Sequence, residues 1–329
     1  MLNILFMGTP DFARESLKSL YEANYNIIGV VTNPDKPKGR GMKMAFSEVK
    51  EYAIEKNLKI FQPLTVKNNQ EFYEQIKSLN PDLICVVAYG KILPQKLLEL
   101  GRLGAINVHA SLLPKYRGAA PIQWAVINGD KKTGITTMYM DKGMDTGDKI
   151  LKEEIDINEN ETTGELWDKL SLIGGSLLVK TVRQIEDGTV TRTKQGDNFT
   201  LAPMIKKEMA KIDWENKSAI QIKNLVRGLN PIMGTYTFLE DGKKIKFWKI
   251  DVLDKNEFLQ KYPDFKEYEY KLNDLSYGTV LISNEKSGLV IKAKDGFIKV
   301  LEIQGENSKK MNINDFLRGN KINIGTILQ

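Results

Sequence analysis

The chain has 329 residues, 41% of them hydrophobic and 27% charged, and a formal net charge of +6; that length predicts two domains with separate cores, and that composition a globular chain. No stretch approaches the ~20 apolar residues that span a bilayer, and the opening MLNILFMGTPD has no signal-peptide pattern, so no membrane partner is expected and the expected location is cytoplasmic. The single cysteine, Cys85, excludes an intramolecular disulfide and a cysteine-rich zinc site, and the single histidine, His109, excludes a His-Glu-x-x-His centre, so no metal is expected.

LNILFMG, residues 2–8, reads as a buried strand, and TPDFARESLKSL follows it with Pro10 and Asp11 suited to a helix start. The alternation repeats. NIIGVVT is a strand, SEVKEYAIEK a helix, KIFQP a short strand, NQEFYEQIKSL a helix, DLICVVAYG a continuous apolar strand and PQKLLEL a helix. Such alternation predicts an α/β fold, a Rossmann-like, mostly parallel sheet with helices on both faces. Its ligands bind beyond the carboxyl ends of the strands, near the switch in strand order. Gly8 in MGTPD ends the first strand, but neither a G-x-G-x-x-G nor a Gly-Lys-Ser/Thr follows, so it reads as a tight turn. NPDKPKGRGMKMA, residues 33–45, sets Lys36, Lys38, Arg40 and Lys43 among two prolines and two glycines. It suits a solvated flexible loop and equally a grip on phosphates. Cys85, within LICVVA, reads as an inert buried thiol.

AINVH, residues 105–109, is a further strand, with Asn107 and His109 at its carboxyl end. Residues at i and i+2 on a strand point to one face, so both side chains can address one ligand atom. PIQWAVING reads as a helix, GITTMYM as a strand, and TTGELWDKLSLIGGSLLVKTVRQIEDG as a long helix that closes a first domain near Gly188. Between the last two lies MDKGMDTGDKI, whose Asp141, Asp145 and Asp148 reach Asn107 and His109 only if the loop folds back. An imidazole accepts a proton, a carboxylate fixes its tautomer or takes the proton on, and an Asn amide donates to a developing oxyanion. That is equipment for attack by an amine or water on an acyl carbon; the alternative for a lone histidine is a hydrogen-bonded core residue. No G-x-S-x-G elbow is present, so direct transfer without a covalent enzyme intermediate is the simplest chemistry.

Residues 189–208 lack periodicity and predict a linker between a first domain, 1–188, and a second, 209–329. The second holds a helix, SAIQIKNLVRGL, and alternating segments GTYTFL, KKIKFWKIDVL, GTVLIS and GLVIKAKDGFIKVLEIQ, which predict a small β-barrel. DKNEFLQKYPDFKEYEYKLND reads as an exposed, acidic and Tyr-rich insertion between strands. Residues 1–188 hold 24 Lys and Arg against 24 Asp and Glu, and 189–329 hold 24 against 18, so the positive excess lies in the second part. A polyanion such as RNA accounts for this, as does a Lys-rich solvated surface.

NVHASLLPKYRGAAPIQWAVINGD followed by TGITTMYMDKGMDTGD closely resembles the folate-dependent formyltransferases, in which Asn-x-His, Ser-Leu-Leu-Pro and a downstream Asp-x-Gly recur in this order. The resemblance extends over FMGTPDFA, PDKPKGRGMK, FQP, VVAYGKILP and KIDW, essentially the whole chain, and is strongest to members that act on an aminoacylated initiator tRNA. It implies a catalytic set of Asn107, His109 and Asp145, a donor motif of Ser111, Leu112, Leu113 and Pro114, and an OB-like second domain that contacts tRNA. It also implies 10-formyltetrahydrofolate as formyl donor, methionyl-initiator-tRNA as acceptor, and tRNA contacts from Lys36, Lys38, Arg40 and Lys43. A formyltransferase for a small amine, a hydrolase releasing formate and a noncatalytic RNA-binding module are the competing expectations.

Overall fold

A computed structural model describes residues 1–38 and 43–329; Arg40 lies outside the described residues. The chain runs β1 (Asn3–Gly8), α1 (Asp11–Glu22), β2 (Asn26–Val31), β3 (Lys36–Lys38), β4 (Lys43–Ala45), α2 (Glu48–Glu55), β5 (Ile60–Phe61), α3 (Gln70–Ser78), β6 (Leu83–Val87), α4 (Gln95–Leu98) and β7 (Ala105–His109). It continues through α5 (Pro121–Ile127), β8 (Lys132–Tyr139), β9 (Lys149–Asp156), α6 (Thr163–Glu186), α7 (Ala219–Gly228), β10 (Thr235–Phe238), β11 (Lys244–Leu253) and α8 (Lys255–Lys261). A 3-10 segment (Pro263–Asn273), β12 (Val280–Asn284), β13 (Gly288–Lys292), β14 (Phe297–Gln304), β15 (Met311–Asn312) and α9 (Ile313–Gly319) complete it.

The first sheet has the order β5-β2-β1-β6-β7-β8-β9. Its β5, β2, β1, β6 and β7 pair in parallel, and β8 and β9 add antiparallel. The order reverses between β1 and β6, so the carboxyl ends of β6 and β7 open next to the switch where such sheets bind ligands. Leu5, Met7, Ile84, Val86 and Ala105 pack on one face with Phe72 and Ile76 of α3 and Leu97 and Leu98 of α4. Ile84 pairs with Ala105 and Val86 with Asn107, so the strand alternation puts Asn107 and His109 on that same face, at its open end. Helix α1 buries Phe12, Ala13, Ser16, Leu17 and Leu20, one stripe of a 3.6-residue period. Helix α3 starts where Asn69 accepts from the Phe72 N–H at 3.0 Å, which satisfies one of its free amino-terminal donors.

The chain divides into two units: Met1–Ile122, Lys132–Ile157 and Glu165–Met204 form the first, and Gln123–Lys131, Asn158–Gly164 and Ile205–Gln329 the second. Residues 193–202 are fastened within the first unit by isolated β-bridges, Lys149 to Thr193 and Arg117 to Leu201. A stretch without periodicity satisfies its backbone against other segments, a pairing that no local pattern announces.

In the second unit the sheet order is β10-β11-β14-β13-β12, with β15 on β14. The carboxyl-terminal segment bridges the two edges: the Gln329 N–H donates to the Phe238 carbonyl of β10, and the Val280 N–H of β12 to the Thr326 carbonyl. Ile222 and Val226 of α7 pack into the core of Ile245, Phe247, Leu289, Ile298 and Val300. The segment read from sequence as an exposed insertion is helical. Its Phe258, Leu259 and Leu272 are buried with Leu281, Val290 and Phe297, and the Phe258 and Phe297 rings stack at 3.9 Å. Most of its acidic residues lie outside with the exposed Tyr268 and Tyr270, while Tyr262 packs inward on Phe258. Strand β9, KILKEEID, was not legible in the sequence because its outward positions carry acidic residues that strands disfavour.

Candidate active site

His109 ends β7 and is buried. Its Nε2 lies 2.9 Å from the Tyr116 carbonyl oxygen. A carbonyl only accepts, so this contact assigns the proton to Nε2 and leaves Nδ1 as the second ring position. Nδ1 stands 3.7 Å from Asp145 Oδ2, longer than a direct hydrogen bond. One polar atom of a ligand settling between them can be shared by imidazole and carboxylate.

Asp145 arrives from a loop that folds back. Tyr139, at the end of β8, pairs with Ile106 near the start of β7, whereas Asp145 reaches the other end of that strand. The return is tight. The Tyr139 N–H donates to the Asp148 carbonyl at 2.9 Å, and a Cβ on Gly147 would lie 1.8 Å from the Tyr139 carbonyl oxygen. Asp145 itself adopts φ 54°, in the left-handed region. Its Oδ2 accepts a 2.8 Å hydrogen bond from the Gly118 N–H, which fixes the same carboxylate oxygen that faces the imidazole. Of the three loop acids, Asp145 is the one whose carboxylate meets His109; Asp141 is turned to the Gly143 N–H and the Thr146 hydroxyl within its own loop.

Asn107 is half-buried on β7 between Val86 and Met138. Its carboxamide makes no protein hydrogen bond among the described residues, so its N–H donors are available to a ligand. Ser111 to Pro114 form a buttressed turn. The buried Ser111 hydroxyl donates to the Lys115 carbonyl at 2.6 Å, and Thr136 Oγ1 both donates to the Ser111 carbonyl and accepts from the Leu113 N–H. The Ser111 hydroxyl is therefore spent inside the turn, while Leu112 and Pro114 are partly exposed. Within the stretch read from sequence as a basic loop, β3 pairs antiparallel with β4, with Lys36 opposite Ala45 and Lys38 opposite Lys43. Lys36 is exposed. Just before β3, Asp35 accepts from Lys50 Nζ at 2.6 Å and from Gln62, and these bonds hold its carboxyl below the usual range.

Three further residues shape this site without a signal in the sequence. Tyr116 supplies a main-chain carbonyl to His109, Gly118 a main-chain N–H to Asp145, and Thr200 accepts the Tyr116 N–H on its Oγ1 at 2.9 Å. Two of these groups are backbone atoms that nearly every residue carries, and the third comes from a segment without periodicity.

Residues 2–182 match the family described as formyl transferase, and 204–321 match its C-terminal domain. The chain is 50% identical over 329 residues to the methionyl-tRNA formyltransferase of Caldanaerobacter subterraneus subsp. tengcongensis, covering all of both chains. It is 48% identical over 328 residues to that of Clostridioides difficile, covering 99% of this chain and all of the relative. Among solved structures it is similar to an N-formyltransferase from Helicobacter canadensis in complex with folinic acid and dTDP-3-aminofucose, with a TM-score of 0.64 and 19% identity over 93% of this chain and all of the other, a likeness of fold.

Proposed function

The chain belongs to the formyl transferase family across both of its parts, and from that premise we infer that it moves the formyl group of 10-formyltetrahydrofolate to the α-amino group of methionyl-initiator-tRNA, the step that prepares translation initiation. The observation that carries this reading is the end-to-end identity of 44–50% with relatives of that name, including the second unit. The reaction is assigned to the cytoplasm, where charged initiator tRNA is used; among the described residues no helix is long and apolar enough to cross a membrane.

Asn107, His109 and Asp145 are the groups we assign to the chemistry. The acceptor amine must be neutral to attack, and a free α-amino group has a pKa of about 8. With Nε2–H committed to the Tyr116 carbonyl, Nδ1 is the ring atom available as base. It takes the proton as nitrogen bonds to the formyl carbon, and Asp145 Oδ2 stabilises the resulting imidazolium. Asn107 donates to the carbonyl oxygen as it becomes an oxyanion. When the bond from the formyl carbon to the folate nitrogen breaks, Nδ1–H returns the proton to that nitrogen, so no proton is gained or lost by the protein. Ser111, Leu112, Leu113 and Pro114 form the turn against which the donor is held, shaped from within by the Ser111 hydroxyl. Lys36, Lys38, Arg40 and Lys43 supply positive charge to the phosphates of the tRNA acceptor end.

The test is formyl transfer from 10-formyltetrahydrofolate to methionyl-initiator-tRNA, with free methionine and uncharged tRNA in parallel. Product with the charged tRNA alone is expected. Formate release without an acylated amine would make the chain a hydrolase, and tRNA binding without turnover would make it a binding module.

A further inference from the structure

Gln195 lies in the stretch 189–208 that carries no periodicity, yet its side chain meets the loop of Asp145. The buried Arg117 donates to Gln195 Oε1 from Nε at 3.0 Å and from Nη2 at 2.8 Å. A guanidinium has no acceptor, so it dictates which end of the carboxamide faces it. The Nε2 end is thereby turned to two main-chain carbonyls, that of Asp145 at 2.9 Å and that of Gly147 at 2.8 Å. Oε1 takes two hydrogen bonds and Nε2 gives two to main-chain carbonyls, with Met138 Sδ a third, weaker acceptor at 3.9 Å, so the amide is held in one orientation.

Arg117 is itself fixed. Its N–H donates to the Thr200 carbonyl at 2.9 Å, its carbonyl accepts from the Ala202 N–H at 2.8 Å, and its guanidinium lies 4.6 Å from the Phe199 ring centre. The next residue, Gly118, is the donor to Asp145 Oδ2. Asp145 is thus gripped twice from one rigid fragment: through its carboxylate by Gly118, and through its main chain by Gln195 oriented on Arg117. A non-glycine residue at φ 54° needs such restraint, because the left-handed conformation is disfavoured when nothing holds it.

We propose that Gln195 is a positioning residue for formyl transfer, its carboxamide carrying the orientation set by Arg117 to the Asp145 loop and so keeping the carboxylate beside His109. The proposal rests on the assignment of Asp145 and His109 to the chemistry. Glutamate at 195 is the discriminating change. It keeps the bonds to Arg117 and adds an ion pair, but it turns a carboxylate oxygen on the carbonyls of Asp145 and Gly147.

The experiment compares Gln195→Glu, Gln195→Met, Asp145→Asn and the double variant Gln195→Glu/Asp145→Asn, measuring kcat, KM for each substrate and Tm in the full chain. In both Gln195 variants kcat should fall about 10- to 100-fold, with KM little changed and the Tm of Gln195→Glu at the parent value. The double variant should be no slower than Asp145→Asn alone, because the two act as one unit. Parent-like kcat in both Gln195 variants, with Asp145→Asn inactive, overturns the proposal and leaves the catalytic assignment standing. Losses that multiply in the double variant overturn it too, since Gln195 would then act elsewhere. Full turnover in Asp145→Asn removes the catalytic assignment itself, and the proposal with it.

Discussion

The Tyr116 carbonyl accepts the Nε2–H of His109 at 2.9 Å, and this one contact decides which ring nitrogen meets Asp145. With the ring locked by a backbone atom seven residues away, Nδ1 is the nitrogen left to exchange protons in the proposed mechanism. Replacing the imidazole removes that exchange. His109→Ala should lower kcat roughly 10²- to 10⁴-fold while the circular dichroism and melting curve stay close to the parent. A folded variant with near-normal turnover would remove His109 from the mechanism.

Asn107 is assigned to the charge that develops on the formyl oxygen, an interaction stronger in the transition state than in the ground state. Asn107→Ala should therefore reduce kcat by about 10²- to 10³-fold with little change in KM for methionyl-tRNA. Steady-state kinetics separate the two constants. A rise in KM at constant kcat would make Asn107 a binding group instead.

Gly118 adopts φ 126°, and a Cβ there would lie 2.7 Å from the Ala202 carbonyl oxygen. Both the conformation and the clash oppose a side chain. Gly118→Ala should cost about 1–3 kcal/mol of stability and also lower kcat, because the N–H that holds Asp145 Oδ2 shifts with the backbone. Chemical denaturation and kinetics on the same preparation check both effects. Unchanged values would mean that the turn relaxes freely.

Cys85 lies on β6 with no exposure, and burial pushes its thiol pKa upward. Above about pH 8.5 the unfolded chain releases a thiol proton that the folded chain keeps, so folding stability falls as pH rises through this range. Cys85→Ala should flatten that slope. In the native protein a thiol reagent at pH 8 should react slowly, and at once after denaturation; rapid native labelling would contradict the burial.

The basic stretch 33–45 is assigned to phosphates, so its contribution must be salt-dependent. Lys36→Ala and Arg40→Ala should each weaken methionyl-tRNA binding and make the slope of log affinity against log salt shallower by about 1. Titrations at several salt concentrations measure this. An unaltered slope with altered affinity would point to shape rather than charge.

The sequence by itself determined the α/β alternation, the two-part organisation, the open strand end bearing Asn107 and His109, and the membership that the motifs around them announce. These are local signals, read from side chains a few residues apart. Only the tertiary structure decided how the loop folds back to bring the Asp145 carboxylate, which the resemblance had named, beside the imidazole, and that β3 and β4 pair within the basic stretch. It also turned the apolar residues of 254–274 inward with Tyr262, leaving most of the acids and Tyr268 and Tyr270 on the surface. The supports of the site stayed hidden for a physical reason. The Tyr116 carbonyl and the Gly118 N–H are groups that nearly every residue possesses, and Gln195 reaches Arg117 and Asp145 across 78 and 50 residues. A main-chain donor has no letter of its own, and a contact of that span exists only once the chain has folded.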